Sequence, residues 1–277
     1  MKAPDFEYER PDTLAAALTL LADDSRDVQV LAGGQSLIPM MNFRMAAPEV
    51  LLDLGGLDLG GIGVREGMLE IGAMTRYVEM MRSDLVAQHA PLITRALPHV
   101  AHAAIRNRGT LGGSVALADP AAEMPAVLLA LDAQIVVTGL DGPRTLPAPA
   151  FFLGLYETAL EPDEIVTAIQ IPTPPRRIGF AEVARRHGDY AMAGVAVTDR
   201  GTGATLTDPR VAFFGVADRA LRAEAVEQAL DGASFSKPDA LAALSDIPFE
   251  GDLNASPDMK RHLAGVVLGR ACADLVA

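Results

Sequence analysis

Two short glycine runs carry the clearest chemistry in this sequence. Ala32-Gly33-Gly34-Gln35-Ser36-Leu37 directly follows an apolar segment, and Thr110-Leu111-Gly112-Gly113-Ser114 precedes a helix start. Glycine lets the backbone take positive φ and lets a ligand come close to the main chain. Successive N–H groups in such turns form a concave anion site, to which Ser36, Thr110 and Ser114 can add hydroxyl donors. Two such runs could grip the two phosphates of a dinucleotide without a lysine, as suits an acidic chain. Neither fits G-x-G-x-x-G or the P-loop, which disfavours those two nucleotide-binding folds. Each Gly-Gly also has a plainer reading, as a tight turn or a point where a helix packs closely on a strand.

Other reactive side chains are weaker candidates. His99 and His102 stand at helical i, i+3 spacing, but no cysteine or other ligand converges on them, and a partly buried helix face explains them better than a metal. Asp119 and Glu123 could pair as carboxylates, while helix capping explains Asp119 equally well. Arg106 and Arg108 either offset phosphate charge or lie in a solvated loop. Met40-Met41 and Met80-Met81 read as adaptable core packing. Cys272 is the single cysteine, so the chain forms no internal disulfide and cannot alone hold an iron–sulfur cluster, which normally takes four thiolates. No catalytic triad and no metal-ligand set is named.

Composition narrows the classes. The 277 residues are 50 % hydrophobic and 21 % charged, as in a globular protein of two modest domains or one with subdomains. A formal net charge of −13 argues against nucleic acid, whose phosphates need clustered Lys and Arg. Met1-Lys2-Ala3-Pro4-Asp5 has no apolar leader region, and no later apolar run is long enough to span a bilayer, so a cytoplasmic location is expected.

The elements that must position the glycine runs follow from local pattern. Pro11-Asp12-Thr13 before Leu14, Leu18 and Leu21 predicts a capped amphipathic helix, and Val28 to Leu31 a short strand leading into Gly33. Ile62 to Ile71 alternates around Glu66-Gly67, a hairpin signal. A helical stretch runs from about Arg76 to His102, interrupted at Pro91 and Pro98. Asp119-Pro120 reads as an N-cap with proline at the first helical position, opening a helix through Leu131. Gln134 to Thr138 and a turn at Asp141-Gly142 predict another hairpin, and Ile165 to Ile171 a strand ending at the proline cluster Pro172 to Pro175, taken as the domain boundary. Beyond it come strands at Gly194–Thr198 and Val211–Val216, a helix from Arg219 to Leu230, and a final helix from Pro257. Strands joined mainly by tight turns, with helices in separate runs, indicate an α+β class.

The motifs extend beyond their spacing. Ala32-Gly33-Gly34-Gln35-Ser36-Leu37-Ile38-Pro39-Met40-Met41, ending in the Arg44 stretch, resembles the first FAD motif of the medium subunit of the carbon monoxide dehydrogenase and xanthine dehydrogenase (molybdenum hydroxylase) family. Ile105-Arg106-Asn107-Arg108-Gly109-Thr110-Leu111-Gly112-Gly113-Ser114, continuing to Asp119-Pro120-Ala121-Ala122-Glu123-Met124-Pro125-Ala126, resembles its second. Weaker similarity runs through Asp163 to Val166 and Arg185 to Ala191. The resemblance implies a two-subdomain FAD-binding domain of the vanillyl-alcohol-oxidase-like (PCMH) type over 1–175, divided at about 56/57, and a smaller C-terminal α/β domain over 176–277. It implies FAD on this chain, and molybdopterin and [2Fe-2S] clusters on a large and a small partner subunit, in a dimer of heterotrimers. By position it also implies that Ala32 to Leu37 match the first pyrophosphate loop and Thr110, Gly112, Gly113 and Ser114 the second. Glu123 falls at a carboxylate that contacts the cofactor's polar chain, Ile165 at an aliphatic residue near flavin or adenine, and Tyr190 at an aromatic ring against the isoalloxazine. A plain strand residue is the other reading of Tyr190. Leu117 and Gln35 stand where some relatives have histidine, and neither change removes a main-chain donor.

Two other function classes share the fold: a scaffold subunit that lost its cofactor, and a stand-alone flavin reductase or oxidase. The intact glycines in both runs oppose the first. The lack of an added substrate domain and of an evident catalytic acid opposes the second.

Overall fold

The computed structural model describes residues 2–173, 176–203, 205–234 and 241–276. The chain opens with a parallel three-stranded sheet of β1 (Glu7–Glu9), β2 (Val28–Leu31) and β3 (Val50–Asp53), in the order β1-β3-β2. Its crossovers are α1 (Leu14–Leu21) and α2 (Leu37–Asn42). Thr13 caps α1 as predicted, its Oγ1 accepting the Ala16 N–H at 3.2 Å. This β-α-β-α-β unit departs from the expectation of strands joined by tight turns. The reason is that α2 is hidden in sequence behind two glycines and contains Pro39, and that β1 and β3 are too short to show alternation.

An antiparallel five-stranded sheet follows, built from β4 (Ile62–Arg65), β5 (Met68–Gly72), β6 (Gln134–Gly139), β7 (Gly142–Pro147) and a strand at Ile165–Pro172. Glu66 (φ 51°) and Gly67 (φ 76°) make the two-residue turn between β4 and β5, where a right-twisted hairpin needs positive φ at both positions. Between the two halves of this sheet the chain runs through α3 (Tyr77–Met81), α4 (Asp84–His89), α5 (Pro91–Ala96), α6 (Ala103–Arg106), α7 (Leu111–Leu117) and α8 (Glu123–Ala130), and α9 (Ala148–Phe151) follows β7. Pro91 does not break a helix but starts one, at the first position, where its missing N–H costs nothing. A small hairpin of β8 (Phe152–Gly154) and β9 (Glu157–Thr158) precedes β10, the Ile165–Pro172 strand.

The last sheet is antiparallel, with β11 (Arg177–Ala184), β12 (Ala191–Asp199), β13 (Arg210–Phe214) and β14 (Leu221–Arg222) in chain order. The helix expected from Arg219 starts only at Glu224, as α10 (Glu224–Leu230), because Leu221–Arg222 pairs with β13 first. A terminal helix, Pro257–Val276, covers one face of this sheet through Ala264, Val267, Leu268, Ala271 and the buried Cys272. The other face, with Phe180, Ala196, Ala212 and Phe214, joins the core of the helices and the five-stranded sheet. That double burial explains why β11 and β12 show apolar runs without alternation, and why β11 escapes a pattern search.

Helix α8 lies at the centre. All eight of its residues are buried, among them Met124, Val127, Leu128 and Leu129. A helix apolar all round has no solvent face, and α8 is packed against α5, α7, α9, β12 and β13. Of the predicted boundary prolines, Pro174 and Pro175 lie outside the described residues.

Candidate functional site

The first glycine run sits where β2 gives way to α2. Gly34 has φ +71°, a conformation that favours glycine, and the Gln35 side-chain amide folds back to donate to the Gly33 carbonyl at 3.0 Å. The amides of Ile38 and Met40 are used, donating to Gly34 and Ser36 carbonyls. Among the described residues, none accepts a main-chain hydrogen bond from Gly33, Gly34, Gln35, Ser36 or Leu37. Gly33, Gly34 and Gln35 of this run border an open cavity of about 550 Å³, also lined by Tyr8, Asp53 and Arg108. A second cavity, of about 410 Å³ between Asp58–Gly63 and Thr167–Ala168, holds none of the residues singled out in the sequence.

The second run is not a loop. Thr110 is the N-cap of α7, its hydroxyl accepting the Gly113 N–H at 3.2 Å, so Gly112, Gly113 and Ser114 lie in the first helical turn. The amides of Leu111 and Gly112 donate to the carbonyls of Thr75 and Ala73 at 3.0 and 2.8 Å. Gly112 is a close-packing glycine, since a Cβ there would stand 2.5 Å from the Ala73 Cβ. The expectation of two matching amide cradles is therefore corrected. One run offers free donors; the other is a helix start pinned to the end of β5. Ser114 lies beside the phenol of buried Tyr77, whose ionisation burial strongly opposes.

The two runs nevertheless meet. A Cβ on Gly33 would lie 2.3 Å from the Arg108 carbonyl oxygen and 2.9 Å from the Gly109 Cα, and one on Gly113 would lie 3.3 Å from the Ala32 Cβ. Absent side chains at Gly33 and Gly113 thus create the seam. Arg108 lines the cavity beside it, whereas Arg106 is a structural staple whose Nη1 donates to the carbonyls of Val100 and Ala101, each at 2.8 Å.

Asp119 does not cap α8. It makes its own turn, accepting the Ala121 N–H at 2.9 Å, and the helix begins four residues later at Glu123. Tyr156, at φ 54° on the β8–β9 turn, donates to Asp119 at 3.4 Å, and the Tyr190 hydroxyl lies beside the same carboxylate. Tyr190 is no strand residue: it stands just before β12 and is 66 % exposed. Ile165 is elsewhere, buried with Ala17, Leu18, Leu52 and Leu54 in the small core that ties the first sheet to the second. Tyr156 escapes a reading of the sequence because nothing local marks it.

Glu123 is buried at the first position of α8. Burial, with the charge of Glu182 adding and His99 opposing, pushes its carboxyl up to about 7. A carboxyl raised from about 4.5 in the unfolded chain stabilises the fold fully below pH 4.5 and loses that contribution as pH rises through about 7. The difference corresponds to about 3 kcal/mol. Thermal melts of the cofactor-free chain should therefore show stability falling between pH 5 and 8, and Glu123→Gln should flatten the slope. A slope unchanged in that variant would refute the assignment.

His99 and His102 do not share a helix face. His99 follows α5 in a turn and pairs with Glu182 of β11 at 3.1 Å, while His102 precedes α6 as its N-cap. Among the described residues no cluster of three or more His, Cys, Asp or Glu side chains could hold a metal ion. The FAD implied by the resemblance does fit. A run of amides without an acceptor among the described residues, a close seam that glycine permits and a cavity at their edge match a diphosphate that needs donors more than cations.

Comparison with known proteins agrees. Residues 4–174 match the family model described as FAD binding domain in molybdopterin dehydrogenase, and residues 179–275 match the CO dehydrogenase flavoprotein C-terminal domain. The chain is 39 % identical to the carbon monoxide dehydrogenase medium chain of Hydrogenophaga pseudoflava, over 98 % of this chain and 97 % of that one. It is 38 % identical to the 6-hydroxypseudooxynicotine dehydrogenase complex subunit alpha of Paenarthrobacter nicotinovorans, over 88 % and 83 %. Its fold superposes on the crystal structure of quinoline 2-oxidoreductase from Pseudomonas putida 86 with a TM-score of 0.93 at 35 % identity, covering 99 % of this chain and 98 % of that one.

Proposed function

Because the chain belongs to the FAD-binding medium subunits of the molybdenum hydroxylases, we propose that it seats the FAD diphosphate on the amides of Gly33 to Leu37, against the seam with Thr110, Gly112, Gly113 and Ser114. Ala32 packs the seam, Gln35 braces the loop through the Gly33 carbonyl, and Glu123 meets the polar chain of the cofactor. Tyr190 lies against the ring, and Ile165, buried with Leu52 and Leu54, packs near flavin or adenine. The observation that carries this reading is the run of amides that find no acceptor among the described residues.

Bound FAD supplies chemistry that accepts single electrons and releases a pair. The chain's own groups bind and orient it, and close packing at Gly33 and Gly112 keeps the loops from drifting. In this reading a small iron–sulfur subunit feeds the site, a large molybdopterin subunit acts on the substrate, and an external acceptor takes the electrons. The working unit is a cytoplasmic dimer of heterotrimers. Among the described residues no helix is long and apolar enough to cross a membrane.

The test is retention of flavin. Desalted protein should keep FAD, or regain its absorbance when FAD is added, and protein that binds none would end the reading. Gly113→Val should weaken binding by about tenfold or more, a loss of about 1.4 kcal/mol, with the circular dichroism unchanged. The fold should survive because the added Cβ comes against two side-chain atoms, the Thr110 hydroxyl at 3.0 Å and the Ala32 methyl at 3.3 Å. Equal affinity in the variant would remove Gly113 from the site.

A further inference from the structure

Tyr190 sits at the end of the turn between β11 and β12, and its side chain is exposed. An exposed ring is not fixed by its own packing, so the backbone on either side must fix it. On one side Gly188 stands in the left-handed region at φ +86°, where a Cβ would come within 2.8 Å of the His102 ring and 2.9 Å of the Ala101 carbonyl oxygen. An approach this close, at this φ, favours glycine. On the other side Ala191 opens β12, paired with Ala184 of β11. A Cβ on Gly215, at φ +72°, would stand 2.6 Å from the Ala191 carbonyl oxygen, and the Gly215 N–H donates to the Pro120 carbonyl at 2.7 Å. Tyr190 is thus bracketed by two close contacts. One reaches the turn that leads into the second glycine run; the other, through Gly215, reaches the segment that leads out of it.

The first contact is made on a prepared seat. Ala101 is itself in the left-handed region at φ 42°, which is unfavourable for a residue with a Cβ. Arg106 secures it, with Nη1 donating to the carbonyls of Val100 and Ala101 at 2.8 Å each and lying 3.4 Å from that of Pro98. Strain of this kind persists only where the surroundings over-determine the backbone. Beside it the His187 ring meets that of His99 edge-on at 5.9 Å, and the Asp189 N–H closes the turn onto the Arg186 carbonyl at 3.1 Å.

We propose that Gly188 and Arg106 are positioning residues for the cofactor site: the stapled turn at 98–102 receives Gly188 and thereby sets where the Tyr190 ring lies against the flavin. The inference rests on the FAD reading above. Neither residue lines the cavity at the first glycine run, so neither serves the diphosphate. Their effect passes through Tyr190 alone.

The test uses the full chain loaded with FAD, with Tyr190→Ala, Gly188→Ala and the double variant. A phenol stacked on an isoalloxazine quenches its emission, so flavin fluorescence reads the position of the ring without turnover. Tyr190→Ala should raise the emission of bound flavin. Gly188→Ala should raise it to the same level with FAD content unchanged, and the double variant should add nothing further, as for two changes that act on one contact. Wild-type emission or lost FAD in Gly188→Ala, or a further rise in the double variant, overturns the inference. If Gly188→Ala fails to fold, Arg106→Met decides: it frees the Val100 and Ala101 carbonyls and should give the same rise, and wild-type emission there overturns the inference. A wild-type chain that binds no FAD ends the FAD reading and this inference together. Bound FAD whose emission ignores Tyr190→Ala ends this inference and leaves the diphosphate seat standing.

Discussion

Gly33→Ala is expected to strip the chain of FAD. The added methyl would stand 2.3 Å from the Arg108 carbonyl oxygen and 2.9 Å from the Gly109 Cα, both backbone atoms that cannot rotate aside. Relief requires the first loop to lift away from the start of α7, and that movement opens the seam on which the diphosphate is proposed to sit. Overpacking of this kind costs about 1–3 kcal/mol in stability, but the larger effect is on binding, because the amides of Gly33 to Leu37 move with the loop. The ratio of FAD to protein after desalting, read beside the melting temperature, separates the two effects. A variant that keeps a full complement of FAD would show that the contact between the loops is not needed.

The second large effect is expected where the central helix meets the C-terminal sheet. Asp132, in the left-handed region at φ 51° just beyond α8, accepts from Arg176 at 2.8 Å, Arg210 at 3.0 Å and Arg222 at 3.4 Å. These arginines belong to the last sheet and its approach, so one carboxylate ties the central helix to the C-terminal part. Arg210 and Arg222 have further acids in Asp208 and Glu227. Arg176 does not: its side chain is 4 % exposed, its Nε has no partner among the described residues, and its other contact is the Thr198 hydroxyl at 3.2 Å. Burial already holds its guanidinium below the usual value, with Asp132 pulling the other way. Asp132→Ala leaves that cation buried and unpaired, and should cost about 3–5 kcal/mol. Asp132→Asn, which tolerates the same backbone conformation, should cost less because its oxygen still accepts. Urea unfolding measures both; a loss under about 1 kcal/mol for the alanine variant would mean that water reaches Arg176.

Local signals in the amino-acid sequence account for much of this architecture. The Thr13 cap, the Glu66-Gly67 turn and the terminal helix form where local rules put them. The first glycine run is legible as a donor cradle because free amides are a property of backbone conformation, which glycine betrays. The second run resists the same reading for a physical reason: glycine serves close packing and ligand approach alike, and only the carbonyls of Ala73 and Thr75 decide between them. Asp119-Pro120 has the composition of a helix start, but the Asp119 side chain is engaged two residues on, and α8 opens without it. The pairing of His99 with Glu182 joins residues 83 apart in the chain, across two elements, and no spacing rule reaches that far. The Asp132 cluster is hidden for the same reason.

The unengaged amides of the first loop have a consequence for how the protein matures. Since those donors take no part in closing the three cores, the polypeptide can reach its native shape before it meets its flavin. In the proposed seating, loading is then a separate event, in which water on these peptide groups is exchanged for phosphate oxygen. On that reading empty and filled chains should share one architecture and differ in the hydration of a single turn.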